Sequence, residues 1–182
     1  MFDHDYEISG IHATYLKSLF ELKLFERYID VYMTAAVVGA LNKRKKTIVD
    51  NTSKDRARIY ADAFCTEHVK CEQIFRTIVL SDKSMNWSQD DKINICFRYR
   101  DIKDDNAVIP ITDEEIKKMQ EALSLFNDYV YGGLELLFET FGDKSDPIDL
   151  INTIYKTIYD HKTFIESMED VDGRENLFQP EY

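Results

Sequence analysis

Cysteine and histidine are the first residues to consider for chemistry, because thiolates and imidazoles bind metals and act as nucleophiles and bases. Cys65, His68 and Cys71 recur at intervals of three residues, which resembles part of a zinc site. At about 100° per residue, position 71 lies about 240° further round a helix than position 65. Three ligands cannot converge from one straight helix, and no nearby spacing supplies a fourth. We interpret the two thiols as core residues and the histidine as a residue that binds no metal.

Motifs for acid–base, nucleophilic and phosphate chemistry are also missing from the sequence. The four histidines are scattered, no His-Glu-x-x-His or Gly-x-Ser-x-Gly is present, and Gly132-Gly133 alone is a weak signal for a phosphate-binding loop. Acidic pairs such as Glu114-Glu115 are attributed to helix caps and solvated faces, since a helical chain offers no strand pair for a metal nuclease. We therefore predict no catalytic residue, no metal and no cofactor.

Charge is distributed unevenly along the 182 residues, whose net charge is −11. Residues 43–58 hold seven bases and two acids, whereas residues 143–182 hold ten acids and four bases. The acidic balance argues against a broad surface for nucleic acid or membrane. The basic segment could still hold nucleic-acid phosphates or an acidic partner, or simply complement a helix dipole. The candidate binding residues are Lys43, Arg44, Lys45, Lys46, Lys54, Arg56 and Arg58.

Composition indicates the structural class. The chain is 44% hydrophobic and contains only six glycines and three prolines, which favours long helices over a β-sandwich. Three cysteines without an export signal indicate reduced thiols in the cytoplasm, and the apolar runs are too short to cross a membrane. We predict an all-α protein: a single compact helical domain of six or seven helices (residues 1–168) with a short acidic C-terminal tail (residues 169–182).

Helical spacing accounts for most of the chain. Apolar residues recur every three or four positions over 11–23 and again over 24–41, where small residues predict a largely buried helix that Gly39 and Asn42 end. Ser53 or Asn51 is expected to cap the next helix. Further helices are predicted at about 53–67, 69–80, 88–99, 112–142 and 146–168.

Some details of these elements stay open. Capping boxes at Ser88 and Thr112 favour helices after them, although the alternation within 93–99 would also suit a short strand. Gly132-Gly133 either kinks its helix or lets a neighbouring backbone approach. The predicted core consists of Leu19, Val31, Ala35, Val38, Phe64, Ile78, Phe126 and Leu137.

Aromatic residues are numerous, with eleven tyrosines and eleven phenylalanines. Tyrosines that have one apolar side and one wet end are common at protein interfaces. A generous core would explain the same composition. The aromatic content therefore suits a protein-binding surface without requiring one.

Two short motifs carry a resemblance to a known class of proteins. Ala35-Ala36-x-x-Gly39 precedes a basic run, and an aromatic-rich helix over 126–137 contains Gly132-Gly133-Leu134. In this order, over about residues 25–137, the chain resembles the small helical accessory proteins that accompany bacterial DNA phosphorothioation and related phage-defence systems. The resemblance implies a non-catalytic subunit that acts beside a larger enzyme or ATPase.

The leading hypothesis is therefore an accessory subunit of a bacterial anti-phage defence or DNA-processing complex. Its partner would be a larger protein subunit, with room for a local DNA contact and none for a membrane. One alternative is a nucleic-acid contact module that uses the basic segment 43–58. Another is an acidic inhibitor that imitates DNA and blocks a nuclease. An enzyme of unfamiliar type is the least favoured reading.

Overall fold

The computed structural model describes residues 2, 4–47, 53–98, 112–144 and 146–175. The protein is mostly helical, as predicted, with a two-stranded sheet in addition. In chain order the elements are β1 (Tyr6–Ser9), α1 (Ile11–Glu21), α2 (Tyr28–Leu41), β2 (Arg56–Ile59), α3 (Ala61–Thr66), α4 (His68–Ser81), α5 (Gln89–Ile93), a π-helical turn (Asn94–Arg98), α6 (Asp113–Phe141) and α7 (Pro147–Glu175).

The sheet corrects one prediction. A helix was expected from Ser53 or Asn51 to about residue 67, but residues 56–59 form β2, and the helix begins only at Ala61. The side chains of β2 alternate between exposed arginines and buried Ala57 and Ile59, which is the period of a strand. β2 pairs antiparallel with β1, where Tyr6 lies opposite Ile59. The four-residue alternation was too short to stand out beside the helical spacing that follows it.

Helices α2 and α6 pack backbone to backbone at the centre of the fold. A Cβ atom added at Gly133 would lie 1.8 Å from the Ala35 carbonyl oxygen, and one at Gly39 would lie 2.0 Å from the Tyr129 carbonyl oxygen. Only glycine, which lacks a Cβ, allows this approach. α6 is continuous through residues 132 and 133, and both glycines lie against neighbouring backbone, so the pair serves as a packing site.

The chain after α2 folds back along α6. α2 ends at Leu41, and Lys43 takes a left-handed conformation (φ 52°). The Lys43 and Arg44 amides donate to the Ala40 and Gly39 carbonyls at 3.1 and 2.9 Å, which closes a Schellman-type end. Gly39 thus lies inside the helix, although it was expected to end it. A Cβ at Gly132 would lie 2.1 Å from the Arg44 carbonyl oxygen, so this glycine lets the segment lie against α6.

The predicted core is largely confirmed. Seven of its eight residues are buried, and Val38 is the exception because it is only half-buried. Aromatic rings fill the space between the helices: Phe2 lies 5.6 Å from Phe64 and 5.9 Å from Phe126, measured between ring centroids. Much of the aromatic content therefore belongs to the core.

Helix ends follow the predicted capping residues. Ser88 with Asp91 and Thr112 with Glu115 form complete capping boxes. The preference for helix over strand at residues 93–98 is confirmed, because α5 passes into a π-helical turn. Tyr99 and the predicted loop 101–111 lie outside the described residues, as does Asn51. The Asp146 carboxylate accepts from the Asp149 amide at 3.2 Å at the start of α7.

The contacts divide the chain into two units, Met1–Gly142 and Asp143–Tyr182. The second unit contains α7, which continues to Glu175, past the end expected near residue 168. The first part of the predicted tail is thus helical, and residues 176–182 lie outside the described residues. The domain limits 1–168 and 169–182 stay a prediction. No helix in the described part of the chain is long and apolar enough to cross a membrane.

Candidate binding surfaces

The first candidate surface is the apolar face of α7. It consists of Ile148, Ile151, Tyr155, Ile158 and Tyr159, whose side chains are 58–71% exposed. Their spacing of three or four residues places them on one side of the helix. Large apolar side chains that gather on one exposed face are typical of a surface that binds another protein. This surface is called the α7 face below.

The predicted basic segment is largely neutralised inside the molecule. The Arg44 guanidinium lies 2.5 Å from Glu139 and 3.2 Å from Glu135. The remaining pairs are Lys45 with Asp82, Lys46 with Glu135, Arg56 with Glu7 and Arg58 with Asp5. Five of the seven candidate residues therefore have an acidic partner; three of them lie in the segment after α2 and two lie on β2.

Lys43 and Lys54 differ from the other five. Both are exposed, and none of the described acidic residues lies within ion-pair distance of either. Nucleic-acid binding by the basic segment stays a hypothesis, and its test should leave the paired bases unchanged. Reversal of Lys45 would disturb the fold through Asp82, so Lys43 and Lys54 are the residues to reverse in a salt-dependent DNA-binding assay.

Asp82 is the centre of a buried polar cluster that sequence reasoning missed. Its carboxylate accepts from the Tyr129 hydroxyl at 2.5 Å, lies 2.8 Å from the Lys45 ammonium and accepts from the Ser84 amide at 2.8 Å. The Lys92 ammonium donates to the Asp82 carbonyl oxygen. The residue stood in a polar interruption between helices, where nothing in the spacing signals burial.

Hydrogen bonds decide the charge state of Asp82. Burial alone would raise the pKa of this carboxyl, but donation from Lys45, Tyr129 and Ser84 outweighs burial and holds the pKa well below its usual range. Burial and the contact with Asp82 raise the pKa of the Tyr129 hydroxyl. The cluster is thus a satisfied ionic network that joins α4, α6 and the segment after α2, and it has no group poised to react.

A groove of about 960 Å³ lies beside this cluster, between α2 and α4. Val37 and Leu41 line it from α2, and Ile74 and Ile78 line it from α4. Three lysines also line it: Lys43, Lys45 and Lys83. Two of them belong to the predicted basic segment, and Lys83 was missed because it is alone in its sequence neighbourhood. This surface is called the α2–α4 groove below.

His12 is the most buried histidine of the described chain, at 3% exposed. Its Nε2 atom lies 3.4 Å from a Glu135 oxygen, and neither ring nitrogen makes a hydrogen bond to a described residue. Burial lowers the pKa of His12, and Glu135 only partly offsets this effect. The pair has the groups for acid–base chemistry, but a substrate cannot reach a ring buried to this extent.

A smaller cavity of about 380 Å³ lies where β1 meets α6. It is lined by polar groups, among them Tyr6, Asp128 and Tyr131. The two tyrosine hydroxyls are 2.6 Å apart, and burial raises the pKa of both. These groups hydrogen-bond to each other and tie β1 to α6, which gives them a structural role.

The cysteines do not form a metal centre. Cys65 and His68 are exposed, whereas Cys71 is buried. Burial raises the pKa of Cys71 and of Cys96 to about 11, so both remain neutral thiols near pH 7. Within the described ranges, no three histidine, cysteine, aspartate or glutamate side chains are grouped so as to hold a metal ion.

Comparison with known proteins gives no family. No protein-family model, curated protein or solved structure matches the chain significantly. The surfaces described above are therefore the basis for any functional inference.

Proposed function

We propose that the chain is a cytoplasmic, non-catalytic accessory subunit that binds a larger protein of a bacterial anti-phage defence or DNA-processing complex. The observation that supports this proposal is the α7 face. Five large apolar side chains stand 58–71% exposed along one side of a single helix. Binding would occur by packing this face against an apolar surface of the larger subunit.

The energetics favour a partner for this face. Complete burial of one isoleucine side chain stabilises an association by roughly 1.5–3 kcal/mol. The α7 face offers three isoleucines and two tyrosines, and tyrosine is enriched among residues that dominate binding energy. Even after the loss of translational and rotational freedom, such a face can supply the main part of a stable interface.

The chemistry of the titratable groups supports a non-catalytic role. Asp82 is engaged in an ionic network, His12 is inaccessible, and Cys71 and Cys96 carry raised pKa values. None of these four described groups is both exposed and free to react. Protein binding is the activity that the exposed groups suit better.

The proposal is tested by co-expression of the chain with each protein encoded beside it, followed by light scattering and calorimetry on the purified complex. We expect a complex with one larger subunit, which Ile151→Gln with Ile158→Gln weakens at least about tenfold. Asp160→Asn, an exposed change on the same helix, is the matched control and should leave the affinity unchanged. A chain that remains a lone monomer with every candidate would contradict the proposal.

A further inference from the structure

The α2–α4 groove has the shape of a helix-binding site. Its α2 wall contains Val37, Ala40 and Leu41, and its α4 wall contains Ile74 and Ile78. These residues recur at three or four positions, so each helix contributes one continuous apolar stripe. A groove with apolar side chains from two helices is an arrangement that accepts the apolar face of a third helix.

Exposure within the groove is consistent with an unfilled site. Leu41, at the last position of α2, is 59% exposed, and Val37 and Ile74 are only half-buried. An aliphatic side chain gains stability when it leaves water. An occupant with its own apolar stripe would therefore bury these residues.

The lysines of the α2–α4 groove favour an acidic occupant. Lys43 and Lys83 line the groove, and no described acid lies within 4 Å of either ammonium group. Lys45 also lines it, but Asp82 compensates its charge. The groove thus carries two uncompensated positive charges on a chain whose net charge is −11. An acidic ligand would be attracted here and repelled by much of the remaining surface.

We propose that the α2–α4 groove docks an acidic amphipathic helix of a partner protein. The partner's apolar stripe would lie between α2 and α4, and its flanking carboxylates would pair with Lys43 and Lys83. Nucleic acid suits the groove less well, because phosphates gain nothing from an aliphatic floor. A bilayer surface suits it less well because the site is concave. The proposal concerns a second surface and is independent of binding through the α7 face.

The test begins with a phage-displayed library of amphipathic helices of about five turns. All members have the same apolar stripe, and each flanking position is occupied by glutamate, glutamine or lysine. The library is selected on the full chain, and the affinity of an enriched synthetic peptide is measured by fluorescence anisotropy. We expect glutamate-flanked peptides to be enriched and their binding to weaken as salt is added.

Variants then locate the site. Leu41→Glu, Lys43→Glu and Lys83→Glu together should weaken peptide binding at least about tenfold. The matched control, Val69→Glu with Lys54→Glu and Lys70→Glu, changes the same residue types at exposed positions outside the groove. It should leave the affinity unchanged. Amide chemical-shift mapping on the unmodified chain gives a second measurement, in which perturbations should centre on residues 37–43 and 73–84.

Three outcomes would overturn the proposal. One is the enrichment of no peptide, or of peptides with lysine flanks. Another is a peptide that binds the groove variant as tightly as the unmodified chain, or whose shift perturbations lie elsewhere. The third is displacement of the peptide by duplex DNA or anionic vesicles added as competitors, which would assign the groove to one of those ligands instead.

Discussion

Helices α6 and α7 have the same length, 29 residues, and each has an amphipathic sequence. Their apolar faces nevertheless meet different surroundings. In α6, Phe126, Val130 and Leu134 are fully buried, and Gly133 lies against the backbone of α2. In α7, the side chains of the α7 face are 58–71% exposed. The same periodicity thus belongs to a buried apolar face in one helix and to an exposed one in the other.

The difference shows how much the apolar spacing of a helix reveals about its burial. Periodicity indicates which side of a helix avoids water, but the surface that covers that side depends on another element. For α6 that element is α2, whose Ala35 and Gly39 allow close approach. On our proposal, the element that covers α7 belongs to another protein. Predictions about the two helices should therefore diverge in stability and in binding.

The largest expected effect is at Gly133. Alanine is favoured over glycine within a helix by roughly 1 kcal/mol, but its Cβ would lie 1.8 Å from the Ala35 carbonyl oxygen. Because backbone must move to relieve this clash, we expect Gly133→Ala to lower the free energy of unfolding by more than the roughly 1–3 kcal/mol that overpacking usually costs. Urea unfolding followed by circular dichroism measures the change.

Two further variants of α6 should lose less stability than Gly133→Ala. Gly132→Ala meets the Arg44 carbonyl oxygen at 2.1 Å, but Arg44 lies in a segment that can shift more cheaply than a helix, so the loss should be smaller. Ser124→Ala, on the exposed side of α6, should change stability by less than about 0.5 kcal/mol. An equal loss at residues 133 and 124 would contradict the backbone contact.

Much of the fold follows from local patterns in the sequence. The capping residues Ser88 and Thr112 place two helix starts, and seven of the eight residues that apolar spacing assigns to the core are buried. What local pattern cannot supply is pairing between distant segments. β2 forms because residues 6–9 supply a partner strand about fifty positions earlier, and four alternating residues are too few to indicate this.

The candidate surfaces were harder to predict for the same reason. The basic run was visible in the sequence, but its acidic partners Glu135 and Glu139 are about ninety residues away. Lys83 joins Lys43 in one groove only through the fold. The exposure of the α7 face likewise cannot be predicted from its spacing, because α6 has the same periodicity and its apolar face is buried.

The two motifs that carry the resemblance meet in the structure. Ala35 and Gly39 of the first motif contact Gly133 and Tyr129 on α6, and Gly132 admits the basic run that follows. Their residue types are explained by helix packing. Helix packing alone is therefore sufficient to explain the two motifs, and the functional part of the resemblance stays a prediction.

The next largest effect is expected at Asp82. Asp82→Ala removes the acceptor for Tyr129 and leaves Lys45 without its counter-ion. Loss of one member of a buried ionic network costs about 3 kcal/mol. Asp82→Asn keeps the shape and part of the hydrogen bonding, so its loss should be about half as large. Thermal unfolding of both variants at pH 7 tests this order, which equal losses would contradict.

Acid should reveal the same network. The pKa of Asp82 is depressed in the folded state, so the unfolded state takes up the proton first as the pH falls. The stabilisation is therefore complete above about pH 4 and is lost as the pH falls through the folded-state pKa. Asp82→Asn should flatten this part of the stability curve. A variant curve parallel to that of the unmodified chain would show that other carboxyls cause the acid loss.

A smaller pH effect is expected from His12. Burial beside Tyr15 and Tyr131 lowers its folded-state pKa, and Lys46 lowers it further, whereas Glu135 offsets this effect only in part. The unfolded state consequently binds a proton first as the pH falls through about 6.5, and the free energy of unfolding declines from there. His12→Gln should remove this slope. Urea unfolding at several pH values between about 7.5 and 5.5 makes the comparison, and an unchanged slope would assign it to another group.

The smallest change in stability is expected on α7, and it separates the two helices most directly. Ile151 and Ile158 are each 64% exposed, so their joint replacement by glutamine should alter the free energy of unfolding by less than about 0.5 kcal/mol. Ile78→Gln is the matched buried control. Ile78 is 4% exposed, and its replacement should cost at least about 2 kcal/mol. A comparable loss from the α7 pair would mean that this face already stabilises the chain's own fold, and the proposal that it serves a partner would lose its support.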